Sequence, residues 1–157
     1  MNSNIKILSE VDQNILINLV KIHFSAFKKF NLRPWKYKDF IDFLNSGFKV
    51  FYYVSEKKIL GFIIVNCNLD FIEIITIAID KPHQRKKIGN SLLQYVINYG
   101  RLDKFLYIEV AKNNYGAIDF YKKHGFNICS ERKNYYLIHS GKDRGSRIDA
   151  LIMKLIL

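Results

Sequence analysis

Glu109, Asn114 and Tyr121 are the residues of this 157-residue chain whose types and spacing best suit chemistry. A carboxylate can take a proton from an amine, a helix start can present polar groups, and a phenol can return a proton to a leaving group. Together they are the groups that moving an acyl group onto an amine requires. Glu109 interrupts a short apolar and aromatic run, with Phe105, Tyr107 and Val110, that reads as a strand. Asn113 or Asn114 can cap the helix that follows, and Gly125 after Lys123 and His124 suits a left-handed stop. With about 3.6 residues per turn, Asn114 and Tyr121 share a helix face and look into one cleft beside the strand of Glu109.

Each of these residues also has a plainer reading. Glu109 could form a structural ion pair with one of the many lysines, Asn114 could be a helix cap and nothing more, and most helical tyrosines are half-buried packing residues.

The elements that would position these groups follow from hydrophobic periodicity. Ile5, Ile7 and Leu8 suggest a first strand, and the spacing from Ile15 to Phe27 an amphipathic helix. Pro34 argues against helix through Arg33, so a second helix is expected just after Trp35, through Phe40, Ile41 and Leu44 to Asn45. Val50 to Val54, Ile59 to Cys67 and Phe71 to Ile79 read as strands of an antiparallel meander, with a turn at Glu56 to Lys58. A helix from Gly89 to Tyr99 and a strand from Lys104 to Val110 make a strand-helix-strand crossover. The last third supplies one more helix and two strands, separated by a long polar turn from Ser140 to Arg147.

The stretch IEVAKNNYGAIDFYKKHGF, Ile108 to Phe126, resembles motif B of the GNAT N-acetyltransferase superfamily, and its wording is similar to the RimI-type protein N-terminal acetyltransferases within it. IAID at Ile77 to Asp80 followed by QRKKIG at Gln84 to Gly89 resembles the acetyl-CoA motif. RKNYY at Arg132 to Tyr136 and IDALIMKL at Ile148 to Leu155 resemble the motif after the helix and the last strand. The resemblance covers roughly the C-terminal half and is loose in the N-terminal third. It implies an α/β fold with a mixed sheet of six to seven strands flanked by about four helices, one domain over residues 1–157, and acetyl-CoA as co-substrate.

By the same resemblance the backbone of Ile77, Ala78 and Ile79 holds the pantetheine arm, Asn114 contacts the cofactor near its thiol, and the loop through Arg85, Lys86, Lys87, Ile88, Gly89 and Asn90 receives the pyrophosphate. A helix start after a strand suits that task, because its unpaired N–H groups and dipole face an anion. Gly89 would let backbone approach phosphate closely. Lys87 stands where the family usually has its first glycine and needs a compatible backbone angle. Glu109 is then the general base, directly or through water, on the expectation that its apolar strand raises its pKa. Tyr121, twelve residues on, is the acid for the departing thiolate. Trp35, Tyr135 and Tyr136 are candidates for contacting the acceptor, although Trp35 could equally be a core residue. The implied acceptor is a protein N-terminus, the N-terminal alanine of ribosomal protein S18.

Composition bounds the alternatives. A net charge of +11 suits an anionic partner such as coenzyme A or ribosomal RNA, but 19 Lys against 6 Arg, with 23 Ile and 14 Asn, also fits a bias towards AT-rich codons. No basic and apolar signal opens the chain and no apolar stretch could span a bilayer, so a soluble cytoplasmic protein with no membrane partner is expected. No residues have metal-ligand spacing. Cys67 and Cys129 are expected to be buried thiols, and His23, His83, His124 and His139 to be surface or incidental residues. Direct nucleic-acid binding is not expected. Two other readings remain: a GNAT enzyme acting on a small amine, a lysine or another protein N-terminus, and a non-catalytic CoA-binding or RNA-associated basic module.

Overall fold

The computed structural model describes residues 4–100 and 105–157. Seven strands form one mixed sheet in the order β1-β2-β3-β4-β5-β7-β6. In chain order the elements are β1 (Ile5–Ile7), α1 (Gln13–Phe27), α2 (Tyr37–Asn45), β2 (Lys49–Ser55), β3 (Lys58–Cys67), β4 (Phe71–Ile79), α3 (Ile88–Tyr99), β5 (Phe105–Ala111), α4 (Tyr115–Lys123), β6 (Asn127–Leu137) and β7 (Arg147–Ile156). The expected meander, crossover and final hairpin are all present. Lys104, expected to open β5, lies outside the described residues.

Local chemistry sets the helix ends. Asp12 caps α1 by accepting from the N–H of Ile15 at 3.0 Å, a contact worth about 1 kcal/mol. Asp39 accepts from the Lys36 N–H at 2.6 Å and takes both Arg33 guanidinium nitrogens at 3.0 Å, which fixes the chain on either side of Pro34. Gly125, at φ 88°, ends α4 in the left-handed region, where a side chain would be strained.

The sheet separates two cores. On one face α3 and α4 pack Leu92, Leu93, Val96, Ile118 and Tyr121 against Ile72, Ile74, Leu106, Ile108 and Val110. On the other, α1 and α2 pack Leu16, Leu19, Ile22 and Phe40 against Val50, Phe62, Ile64 and Ala78. Strand alternation decides which face each residue serves. A bulge opposite Ile64 and Val65 places Ile75 out of register and turns the end of β4.

Two expectations about burial are corrected. Cys67 and Cys129 are exposed, because both sit near strand ends that no helix covers. His23 is buried, 6% exposed, because α1 turns it inward onto the α2 side of the core. Among the described residues no helix is long and apolar enough to cross a membrane.

Candidate active site

β4 and β5 pair in parallel only from Phe71 with Phe105 to Ile74 with Ile108. Both strands then run on, β4 to Ile79 and β5 to Ala111, without continuing that ladder. The sheet is therefore split at the carboxyl ends of its two central parallel strands, the location where ligands enter open α/β sheets. Ile77, Ala78 and Ile79 keep β3 on one side only, so their other backbone edge faces the split.

Glu109 stands on β5 at this split. Phe105, Tyr107 and Glu109 alternate with the core residues Leu106, Ile108 and Val110, so Glu109 lies on the α1–α2 face of the sheet. Its side chain is 13% exposed, and Oε1 lies 3.0 Å from Nε of Arg132 on β6. The expected lysine partner is thus an arginine. The Tyr136 hydroxyl donates to the Glu109 backbone carbonyl at 3.2 Å, and the Tyr135 hydroxyl is a hydrogen-bond partner of the Glu109 carboxylate. That carboxylate is the main cause holding the Tyr135 phenol above its ordinary pKa.

Tyr121 comes from the opposite face. It is 2% exposed, edge-on to Phe120 and Phe126, and burial raises its phenol far above the ordinary value, with Tyr136 adding to the shift. It stays protonated at any physiological pH and can act only as a donor of its proton. Tyr136, raised chiefly by burial and then by Glu109, joins the two sides, since it bonds the backbone of Glu109 and is an electrostatic neighbour of Tyr121.

Asn114 caps α4, its side-chain oxygen accepting from the Ala117 N–H at 3.1 Å, which leaves its two amide hydrogens as the donors. It therefore fills the cap role, with donors left over for a second one.

The loop before α3 carries a conformational signature. Arg85 and Lys87 have φ of 62° and 63°, left-handed values that cost a residue with a side chain roughly 1–2 kcal/mol each. Lys87 thus adopts the geometry a glycine takes there, and successive left-handed and helical residues aim backbone N–H groups at one point. Lys87 caps α3 without a side-chain hydrogen bond, so the N–H groups of Ile88, Gly89 and Asn90 are not consumed by a cap. The loop is tied back by Gln84, whose amide donates to the Ile79 carbonyl at 3.2 Å. A Cβ at Gly89 would sit 3.4 Å from the Phe120 ring, an ordinary contact distance, so α3 passes close to α4 at this residue.

The acceptor candidates are divided. Tyr135 and Tyr136 belong to the Glu109 cluster, and they stack edge-to-face at 4.9 Å. Trp35 is half-buried and lies flat on His23, with ring centroids 4.1 Å apart and Phe40 and Phe43 at its edges. It forms part of the α1–α2 core. Three residues of the cluster were not singled out from sequence: Arg132, Tyr107 and Glu73. Glu73 interrupts the apolar β4 run as Glu109 interrupts β5, so the same signal was available for it.

The split sheet, the open β4 edge and the left-handed loop together have the form of a site for an extended ligand with an anionic end. The acetyltransferase (GNAT) family model matches residues 16–126. The chain belongs to the GNAT acetyltransferase family. It is 32% identical over 126 residues to the [Ribosomal protein bS18]-alanine N-acetyltransferase of Escherichia coli (strain K12), covering 78% of this chain and 80% of that protein. The crystal structure of the Escherichia coli ribosomal-protein-S18-alanine N-acetyltransferase superposes with a TM-score of 0.80 at 29% identity, over 97% of this chain and 93% of that one. Arabidopsis thaliana NAA60 in complex with a bisubstrate analogue shares the fold, with a TM-score of 0.76 at 18% identity over 97% of both chains.

Proposed function

We propose that this GNAT enzyme transfers the acetyl group of acetyl-CoA to the α-amino group of a protein N-terminus, and that its acceptor is the N-terminal alanine of ribosomal protein S18. The observation that carries the reaction type is the split between β4 and β5, with Glu109 on one face of the sheet and Tyr121 on the other. The acceptor is supported by the similarity to the bS18-alanine enzyme over 78% of the chain.

Acetyl-CoA is a substrate here and supplies an acetyl group activated as a thioester. Ile77, Ala78 and Ile79 offer it an extended backbone edge, much as a strand receives a peptide. The loop from Arg85 to Asn90 offers N–H groups and three cationic side chains to its pyrophosphate. Asn114 offers amide hydrogens beside the split. Glu109 accepts a proton from the acceptor nitrogen, which has an α-amino pKa of about 7.7–8.0 and is largely protonated at neutral pH. Tyr121 donates its hydroxyl proton to the departing sulfur. Tyr135 and Tyr136 line the acceptor side, with Trp35 supporting the wall formed by α1 and α2. No covalent enzyme intermediate is needed, because holding both substrates at the split makes the attack effectively intramolecular.

The test is incubation with acetyl-CoA and a panel of N-terminal peptides, lysine peptides and polyamines, followed by mass spectrometry. Acetyl on the α-nitrogen of an alanine-first peptide, with the S18 N-terminal sequence preferred, is the expected result. Acetyl on lysine side chains or polyamines alone would overturn it.

A further inference from the structure

A second carboxylate shares the acceptor side with Glu109. Glu73 on β4 is paired in register with Tyr107 on β5, and Tyr107 is two residues from Glu109 on the same face. From the spacing of residues along and between strands, the backbones of Glu73 and Glu109 are about 8 Å apart, a gap that two glutamate side chains and one phenol can bridge. Tyr107 is a hydrogen-bond partner of Glu73 and feels the charge of Glu109. Tyr135, the partner of Glu109, feels Glu73 in return. The groups facing Glu73 are thus Tyr107 and Glu109 from β5 and Arg132 and Tyr135 from β6. Lys154 of β7, between β5 and β6, is paired in register with Tyr107, and its ammonium lies 3.6 Å over the Phe105 ring. Arg132 is committed to Glu109, and among the described residues no ion pair is recorded for Glu73.

The stoichiometry of the reaction gives this second carboxylate work. An α-ammonium bears three N–H bonds and the amide product bears one, so the nitrogen sheds two protons. Sulfur takes back one, by way of Tyr121. Glu109 can hold only one proton at a time.

We propose that Glu73, acting through the Tyr107 hydroxyl, takes the first of these protons and so delivers the acceptor as a free amine, leaving Glu109 for the second. This rests on the N-terminal acetyltransferase reading and adds a catalytic group to it. An N–H bond of the ammonium breaks and the nitrogen keeps the electron pair. The Tyr107 oxygen gains that proton as it gives its own to a Glu73 oxygen, and Glu73 releases the proton to water. Burial and the Glu73 charge push the Tyr107 phenol up to about 12, so it remains a hydroxyl throughout and passes the proton without ionising.

The experiment measures kcat from pH 6 to pH 9.5 for wild type, Glu73→Gln and Tyr107→Phe, with an alanine-first peptide and saturating acetyl-CoA, alongside thermal stability. At pH 7 both variants are expected to lose at least about tenfold in kcat. Above pH 9, where the amine in solution is already deprotonated, they should recover to within about twofold of wild type. Glu109→Gln should show no such recovery. Wild-type kcat at pH 7 in the variants, or a loss equal at every pH, would overturn the proposal. If Glu73→Gln does not fold, the pH dependence of Tyr107→Phe decides alone. Failure of the underlying reading looks different, since wild type itself would then leave every peptide α-amine unacetylated.

Discussion

Nε of Arg132 lies 3.0 Å from Oε1 of Glu109, so the carboxylate proposed as the base is already held by a cation. Arg132 is 52% exposed, and exposed pairs contribute little to stability. In the proposed reaction its use is geometric: it removes rotamers from the glutamate that is to meet the incoming nitrogen. Arg132→Gln should therefore lower kcat several-fold and leave the acetyl-CoA KM unchanged, because the loop proposed to hold the cofactor lies elsewhere. A changed acetyl-CoA KM with unchanged kcat, in steady-state kinetics varying each substrate in turn, would refute this role.

Glu109→Gln keeps the size and packing of the side chain while removing the proposed base. Turnover should fall by roughly 10²-fold or more, the range for a lost general base. Acetyl-CoA affinity should be unchanged, and the loss should persist at high pH. Calorimetric titration of acetyl-CoA and single-turnover rates check the two halves separately. A variant with wild-type turnover would assign the proton to another group.

Tyr121→Phe tests the other face of the sheet. The ring sits between Phe120 and Phe126 and is fully packed, so the Phe variant should keep the fold and the cofactor affinity. An interaction made mainly in the transition state lowers the rate rather than binding, so kcat should drop. If Tyr121 is only a packing residue, Tyr121→Phe will be nearly silent and Tyr121→Ala will destabilise the protein. Turnover and thermal stability of both variants separate the two outcomes.

The contrast between Glu109 and Glu73 shows what was legible in the sequence. Both are single carboxylates in apolar strands, but only Glu109 is followed by a recognisable helix with Asn114 and Tyr121, so only Glu109 stood out. That Glu73 faces Tyr107 depends on the parallel register of β4 with β5, which is non-local. The split itself follows from a ladder that stops and from a bulge at Ile75, neither of which has a compositional mark. The strands and helices were readable because hydrophobic period and caps are local. Arg132 reaches Glu109 across β7, a contact set by the sheet order β5-β7-β6 and invisible to spacing along the chain.

Lys87→Gly should stabilise the protein. At φ 63° the lysine bears a left-handed backbone cost that glycine avoids, offset in part by the greater freedom of glycine in the unfolded chain. A net gain of about 0.5–1 kcal/mol in urea denaturation is expected. Loss of one positive charge beside the proposed pyrophosphate site should raise the acetyl-CoA KM modestly, and more at low salt than at high salt. A destabilised variant would mean that the lysine side chain holds the loop by contacts that outweigh the strain.

His23 predicts how stability depends on pH. Its Nδ1 is buried without a hydrogen-bond partner among the described residues, and the ring lies between Trp35 and Phe27. Burial lowers its pKa from 6.5 to about 4, against the pull of Asp39 and with help from Arg33. The unfolded chain therefore binds a proton that the folded protein refuses between roughly pH 6.5 and pH 4, and stability falls as pH drops through that window. From pH 7 to pH 5 the loss from this one group is about 2 kcal/mol, or roughly 4–8 °C in Tm for a chain of this length. The carboxylates with lowered pKa values, Asp39, Glu131 and Asp149, titrate below this range and contribute little to it. His23→Phe keeps an aromatic ring under Trp35 and removes the titration, so its stability should be nearly flat from pH 7 to pH 5. Urea denaturation of both proteins at the two pH values is the check, and an equal loss in wild type and variant would show that His23 is not the group responsible.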